Sequence, residues 1–354
     1  MAPRVAFVGA GAIGGYCGAL MKRAGHDVTL IDAWPAHVEA IRAQGLALDG
    51  MTPAESVVVP VEALHVCDVP QLAHGRPIDI AFIAVKSYDS EWAAQLICPY
   101  LSATGFCVSL QNSINEERIA GVVGWGRTVG CAISLLASEL DRPGHVQRNI
   151  QLGGDRHLVF RVGEVHGRVT PRVEQVAALL RAADSARVTT NLWGERWSKL
   201  VINVMRNALS AASGLSGNQR DLDPTTRRVA IKLGSEAVRV GQALGYAFEG
   251  QQGLEPETLA RAGEGHGDAL AEIEEVMIGL TKTRGDEQRP SMGQDMRKGR
   301  RTEIDHINGL VATQGAAIGV PAPFNARIVE LVRRIERREL APSPALFADW
   351  RVLE

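Results

Sequence analysis

Three polar residues recur every fourth position inside an otherwise apolar stretch, RWSKLVINVMRNALS at 196–210: Lys199, Asn203 and Asn207. At 100° per residue they form one stripe about two turns long on a helix otherwise rich in Leu, Val, Ile and Met. An ammonium and two amides on one face could orient a carbonyl compound, stabilise negative charge growing on its oxygen and deliver a proton there. The same composition also fits a core helix with a snorkelling lysine and two hydrogen-bonded amides. Position along the chain must separate these readings.

A second constellation stands at the N-terminus. VAFVGAGAIGG places Gly9, Gly11 and Gly14, with Ala12 and Ile13 between them, in GxGxxG spacing directly after an apolar strand and before a helix. Such glycines permit a tight turn and close backbone approach, so a pyrophosphate can rest against the N–H groups of the helix N-terminus. The next strand, DVTLID, ends at Asp32, 18 residues after Gly14, near the spacing at which a carboxylate accepts the ribose hydroxyls of NAD. Asp32 would repel the 2′-phosphate of NADP; alternatively Asp32 or a neighbour could serve as a helix N-cap before PAHVEAIR. Lys86 and the Gln111–Asn112 pair follow two further strand candidates, the ends at which doubly wound sheets bind ligands.

The elements that must position these groups fall into two halves. Up to residue 190, β-branched runs (RVAFVGA, DVTLID, IDIAFIAV, GFCVSL, TVGCAISL) alternate with helical stretches (GGYCGALMKRAG, PAHVEAIRAQG, DSEWAAQLICPYL). LVFRVGE, TPRVEQVAALLRAAD and ARVTTN close this half as strand, helix and strand. The pattern predicts an α/β Rossmann-type, doubly wound and mostly parallel sheet over 1–190, which would hold the dinucleotide. From 191 to 354 long helical patterns take over, including ALAEIEEVMIGLTKT and TEIDHINGLVATQGAAIG, so an all-α domain follows. GYAFEGQQGLEPE and RGDEQRP read as loops, and PAP at 321–323 as a helix break.

Composition narrows the classes. No apolar run reaches the roughly 18 residues of a membrane span, and MAPR leads straight into a strand without a cleavage pattern, so a cytoplasmic protein is expected. The five cysteines are scattered without metal spacing and read as reduced thiols, with no metal expected. A formal charge of -2 argues against general nucleic-acid binding, although RKGRR at 297–301 is a local basic cluster that suits a solvated helix face or an anion-binding corner. No GxSxG elbow or HExxH pair appears, and nothing prefers His306 to Lys199 as a proton donor.

Taken together, GAGAIG, AVKS, QNS with a glutamate following, WSKLVINVMRN, RPSMGQDMRKGRRTEIDHINGLV and GVPAPFNA resemble, in order and over nearly the whole chain, the ketopantoate reductase family. The resemblance implies a Rossmann domain and a helical domain with cofactor and substrate between them, and reduction of a 2-oxo acid to a D-2-hydroxy acid. It assigns Lys199 as proton donor and Asn203 and Asn207 as substrate-orienting amides. Ser291 and Glu303 fall to the substrate pocket, and Lys86 and Asn112 to the cofactor side.

Three departures stand out. QNS replaces the family's usual QNG, putting the Ser113 side chain beside the expected substrate or nicotinamide. Asp32 stands where NADPH-using members tend to carry a basic residue, so NAD is favoured while NADP stays open. The span between Asn207 and Ser291 looks long, with GLEPETLARAGEGHGDALAEIEE as the insertion. A 2-dehydropantoate 2-reductase, an NAD-dependent D-2-hydroxyacid dehydrogenase for another bulky acid, and an inactive dinucleotide-binding regulator are the competing functions. The apolar helical faces and the family are both compatible with a homodimer.

Overall fold

Strand and helix alternate from the N-terminus because short β-branched runs are separated by stretches with apolar residues three and four apart. In a computed structural model that describes residues 2–350, these become β1 Arg4–Val8, α1 Ala12–Arg23, β2 Asp27–Asp32, α2 Pro35–Gln44, β3 Leu46–Asp49, β4 Val57–Val59, β5 Glu62–His65 and β6 Ile78–Ile83. There follow α3 Ser90–Ile97, β7 Leu101–Ser109, α4 Glu116–Val123, β8 Thr128–Ile133, β9 Ser138–Arg142, β10 His145–Arg148, β11 Phe160–Glu164, α5 Pro171–Leu180 and β12 Ala186–Val188. Gly25 and Gly45, just past the first two helices, take φ values of 92° and 83°, the left-handed ending their positions predict.

Eight strands pair in the order β12-β11-β8-β7-β6-β1-β2-β5, parallel throughout except between β8 and β11. The chain leaves β1 toward β2 on one side and returns to β6 on the other, which makes the β1/β6 boundary the switch point of a doubly wound sheet. Both faces are covered, so the central strands read as continuous apolar runs. Val5 and Phe7 of β1 enter one core with Phe82, while Ala6 and Val8 enter the other with Ile83. The Phe7 and Phe82 rings stack with centroids 4.5 Å apart.

A second, four-stranded sheet in the order β4-β3-β10-β9 was not anticipated from the sequence. Its strands are three to five residues long, too short for a period to register, and β3 pairs with β10 about a hundred residues away. Arg148, the last residue of β10, is fully buried, ion-paired with Asp184 and hydrogen-bonded to the Tyr16 hydroxyl of α1 at 3.2 Å. A buried guanidinium needs such partners.

The chain divides into two units, Met1–Leu192 and Trp193–Glu354. The second is helical: α6 Leu192–Ser213, α7 Gly217–Leu222, α8 Pro224–Ala243, α9 Pro256–Gly263, α10 Gly267–Leu280, α11 Ser291–Arg297, α12 Asn308–Ala317 and α13 Pro323–Glu336. Inside it, α6 docks on α8 through Trp197, whose Nε1 donates to the Ala237 carbonyl at 2.8 Å, and through Met205, packed on Gly234. The segment that looks inserted forms α9 and α10. Ser235 Oγ donates to the Ala260 carbonyl at 2.8 Å, and the absence of a side chain at Gly263 lets α9 lie close to α8 there. No helix among the described residues is long and apolar enough to cross a membrane.

Two helical expectations fail here. TEIDHINGLV is not continuous helix: Ile304–His306 is a single 3-10 turn and α12 begins only at Asn308, so Glu303 and His306 lie ahead of it. Asn308, the first residue of α12, is tied into the unit by its Nδ2, which donates to the Val204 carbonyl at 3.2 Å and to Asn325 Oδ1 at 3.0 Å. Arg300 and Arg301 likewise leave the helix, because α11 ends at Arg297 and Gly299 takes φ 63°; both arginines are exposed.

Candidate active site

In the first unit the glycine turn joins β1 to α1 at the switch point. Gly9 has φ 98°, and a β-carbon there would lie 2.8 Å from the backbone of Ala84 and Val85 after β6. A β-carbon on Gly14 would overlap the Gly9 carbonyl oxygen and come within 2.8 Å of Ala84 Cβ. Gly11 differs: nothing lies within 4 Å of where its β-carbon would be, and as N-cap of α1 it gives the helix no side-chain acceptor. The first turn of α1, with Ala12 and Ile13, therefore presents unpaired N–H donors beside open space, as a pyrophosphate requires. The residues present fit a dinucleotide.

Asp32 has a structural task. Its Oδ2 accepts from Ala10 N–H at 2.8 Å and its Oδ1 from Trp34 N–H at 2.9 Å, so it ties the glycine turn to the start of α2. Asp32 is not itself the N-cap of α2; its neighbour Trp34 is, without a side-chain cap bond. His37, wholly buried, completes the clamp. Gly144 N–H donates to its Nδ1 at 2.9 Å, which leaves the proton on Nε2 to be donated to the Ala10 carbonyl, also at 2.9 Å. No motif marks His37, because both partners are backbone groups and one lies 107 residues away.

The loops after β6 and β7 are bound to each other. Gln111 Nε2 donates to the Val85 carbonyl at 2.8 Å and to Ser90 Oγ at 2.9 Å, and Asn115 Nδ2 donates to Ser87 Oγ at 3.2 Å and to the Asn112 carbonyl at 2.8 Å. Lys86 and Asn112, both half-buried, stand on this braced pair of loops, next to the glycine turn.

Ser113 is the exception in the loop: it is buried and takes φ 65°. Such a conformation costs an ordinary residue about 1 kcal/mol and glycine nothing, which accounts for glycine being usual at this place in the resemblance above. Ser113→Gly should unfold at the same temperature as the native protein or higher, whereas Ser113→Val should lose about 2–3 kcal/mol to the clash of a branched side chain. Equal midpoints for the two variants in a thermal melt would remove the strain argument.

In the second unit Lys199, Asn203 and Asn207 lie along α6, the lysine half-buried and both amides buried at 6% and 4% exposure. The face of α6 that meets α8 carries Trp197 and Met205, about 160° and 240° round from Lys199, so the polar stripe looks away from that packing. Ser291 opens α11, and Gly293 two residues on sits against Ser210, its absent β-carbon 3.1 Å from Ser210 Cβ. Ser210 is one turn past Asn207, which brings Ser291 to the far end of the stripe. Glu303 is buried, and Asn308 five residues later reaches the Val204 carbonyl beside Asn203. Segments about eighty to a hundred residues further along the chain thus meet α6, Asn308 at its middle and Gly293 at its last turn.

Comparison with known proteins identifies the family. The family described as ketopantoate reductase PanE/ApbA matches residues 5–157, and its C-terminal part matches 191–336. A 2-dehydropantoate 2-reductase of Archaeoglobus fulgidus is 30% identical over 334 residues, covering 94% of this chain and 98% of that one. The crystal structure of a PanE/ApbA family ketopantoate reductase from Ralstonia eutropha superposes with a TM-score of 0.76 at 29% identity, covering 95% and 99% of the two chains. D-mandelate dehydrogenase, solved with NADH and anilino(oxo)acetate, shares the fold with a TM-score of 0.77 at 21% identity, covering 95% of this chain and 99% of its own. A glycine turn at the switch point of the first unit, a lysine–amide stripe in the second and matches spanning both place the chain in the ketopantoate reductase PanE/ApbA family, as a pyridine-nucleotide-dependent oxidoreductase acting on CH–OH groups.

Proposed function

We propose that the protein reduces the C2 carbonyl of a 2-oxo acid to a D-2-hydroxy acid, with Lys199 as the general acid and 2-dehydropantoate as the first substrate to test. The observation that carries this reading is the stripe itself: a half-buried lysine in line with two buried amides on a helix whose opposite face is ordinary core. When bound, a reduced nicotinamide supplies the hydride. The Lys199 ammonium stabilises negative charge gathering on the C2 oxygen and passes it a proton. Asn203 and Asn207 hold the oxygen and carboxylate without adding charge, Ser291 donates to the carboxylate, and Glu303 keeps the ammonium charged and positioned. Asn112 and Ser113 shape the substrate side of the first unit, while Gly9, Gly11, Ala12, Ile13, Gly14 and Lys86 hold the dinucleotide.

Asp32 favours NADH. Each of its oxygens accepts one backbone N–H and has a lone pair left for a ribose hydroxyl, whereas a 2′-phosphate there would meet like charge. Oxidation of NADH and NADPH over a panel of 2-oxo acids tests both parts. Turnover of 2-dehydropantoate or a related branched acid, with kcat/KM at least about tenfold higher for NADH, is expected. Tight nucleotide binding without turnover of any 2-oxo acid would overturn the reductase reading, and a strong NADPH preference would overturn the role of Asp32.

The helical unit also exposes Leu222, Ile278 and Ile318. A homodimer burying such residues is the assembly we propose, and a monomeric mass in sedimentation equilibrium at micromolar concentration would contradict it.

A further inference from the structure

The helical unit concentrates positive charge at a place that the roles above leave unused. Arg206 lies on α6 seven residues after Lys199, within about 20° of the lysine's direction and about 10 Å further along the axis. It is half-buried, and its Nη1 donates to Gln252 Oε1 at 2.7 Å. Arg220, fully buried, reaches the Arg206 carbonyl with Nη1 at 3.5 Å and Asp221 Oδ1 with Nε at 2.7 Å. Arg284 Nη1 takes the other Asp221 oxygen at 2.8 Å. Nearby Arg227 is balanced by Glu274 at 3.1 Å.

Asp221 is thus committed to Arg220 and Arg284, and among the described residues no carboxylate pairs with Arg206. Burial and the charges of Arg220 and Arg284 push its guanidinium down to about 9, the direction expected of a desolvated cation held beside like charges. Its present partner is a neutral amide on a strained segment: Gln252 has φ 57°, in the link between α8 and α9 where Gln251 and Leu254 form an isolated bridge. The amide oxygen of Gln252 stands where an anion's oxygen would satisfy the arginine better.

We infer that Arg206 is a specificity-determining residue that binds a second anionic group of the substrate, so that a 2-oxo acid carrying a further carboxylate several carbons from the ketone is turned over in preference to those with a neutral chain end, 2-dehydropantoate among them. The inference rests on the reduction proposed above. Lys199 serves the carbonyl end; two turns on, the guanidinium fork takes the distal carboxylate in place of Gln252. A neutral chain end would leave the arginine with the amide alone.

The test compares kcat/KM for 2-oxoadipate and 2-oxohexanoate, matched in length and different only at the far end, in the native enzyme, Arg206→Gln and Gln252→Glu. The native enzyme should favour the diacid by about 100-fold, and Arg206→Gln should bring that ratio near unity, chiefly through KM. Gln252→Glu, which gives the arginine an internal carboxylate, should lower the ratio as well and leaves the question answerable if Arg206→Gln does not fold. A native ratio near unity, or an equal loss on both acids in Arg206→Gln, overturns the inference while the reductase reading stands. If no 2-oxo acid is turned over at all, both fall.

Discussion

Replacing Lys199 by alanine is expected to lower kcat by about 10²–10⁴-fold while leaving the dinucleotide dissociation constant within about threefold of the native value. On the mechanism proposed above, the size follows from two losses at once. The alanine variant would have neither a cation to stabilise the developing alkoxide nor a proton to give it, and water would do both less well. The split between kcat and nucleotide affinity follows from the fold, since the glycine turn belongs to the first unit and Lys199 to the second. Stopped-flow oxidation with the best acid of the panel measures the first, and quenching of nucleotide fluorescence the second. Turnover within tenfold of native would remove Lys199 from the mechanism. A parallel fall in melting temperature would show instead that the lysine matters as a snorkelling core residue.

The second large effect separates two glycines of one motif. Gly14→Ala drives a β-carbon into the Gly9 carbonyl and Ala84, so the turn must open, and a loss of about 2–4 kcal/mol in stability is expected together with failure to bind nucleotide. Gly11→Ala adds a methyl group that meets no protein atom within 4 Å. Its stability should stay within about 1 kcal/mol of native, while nucleotide affinity falls at least about 30-fold because the methyl occupies the approach to the N–H donors of α1. Chemical denaturation and isothermal titration give the two quantities. Native nucleotide affinity in Gly11→Ala would show that the phosphates do not approach over Gly11.

What the sequence made legible was what repeats locally. Gly9 and Gly14 announce a turn because few other residues tolerate such crowding, with Gly11 open between them, and Lys199, Asn203 and Asn207 announce a face because their spacing matches the helical period. Asp32 was legible by spacing but not in its full task, because its partners are the N–H groups of Ala10 and Trp34, which every residue type but proline supplies. The helical reading of Glu303 failed because the backbone breaks at Ile307, with φ -102° and ψ -84°, and no residue type in TEIDHING records that break. The small sheet escaped because its pairing is fixed by residues far apart in the chain. Ser113 showed only as an odd residue in a familiar triplet until its backbone conformation explained the oddity.

The grip on Ala10 has a consequence for nucleotide capture. Asp32 holds its N–H, His37 its carbonyl, and Gly144 holds His37 from the small sheet. The glycine turn is set in its shape by folding itself, so a dinucleotide bound as proposed above would find donors already aimed and lose little to ordering the loop. The small sheet, remote from the motif in sequence, thereby acts as a stiffener of the cradle: slackening near Gly144 would speed nucleotide departure without removing a single contact to the phosphates.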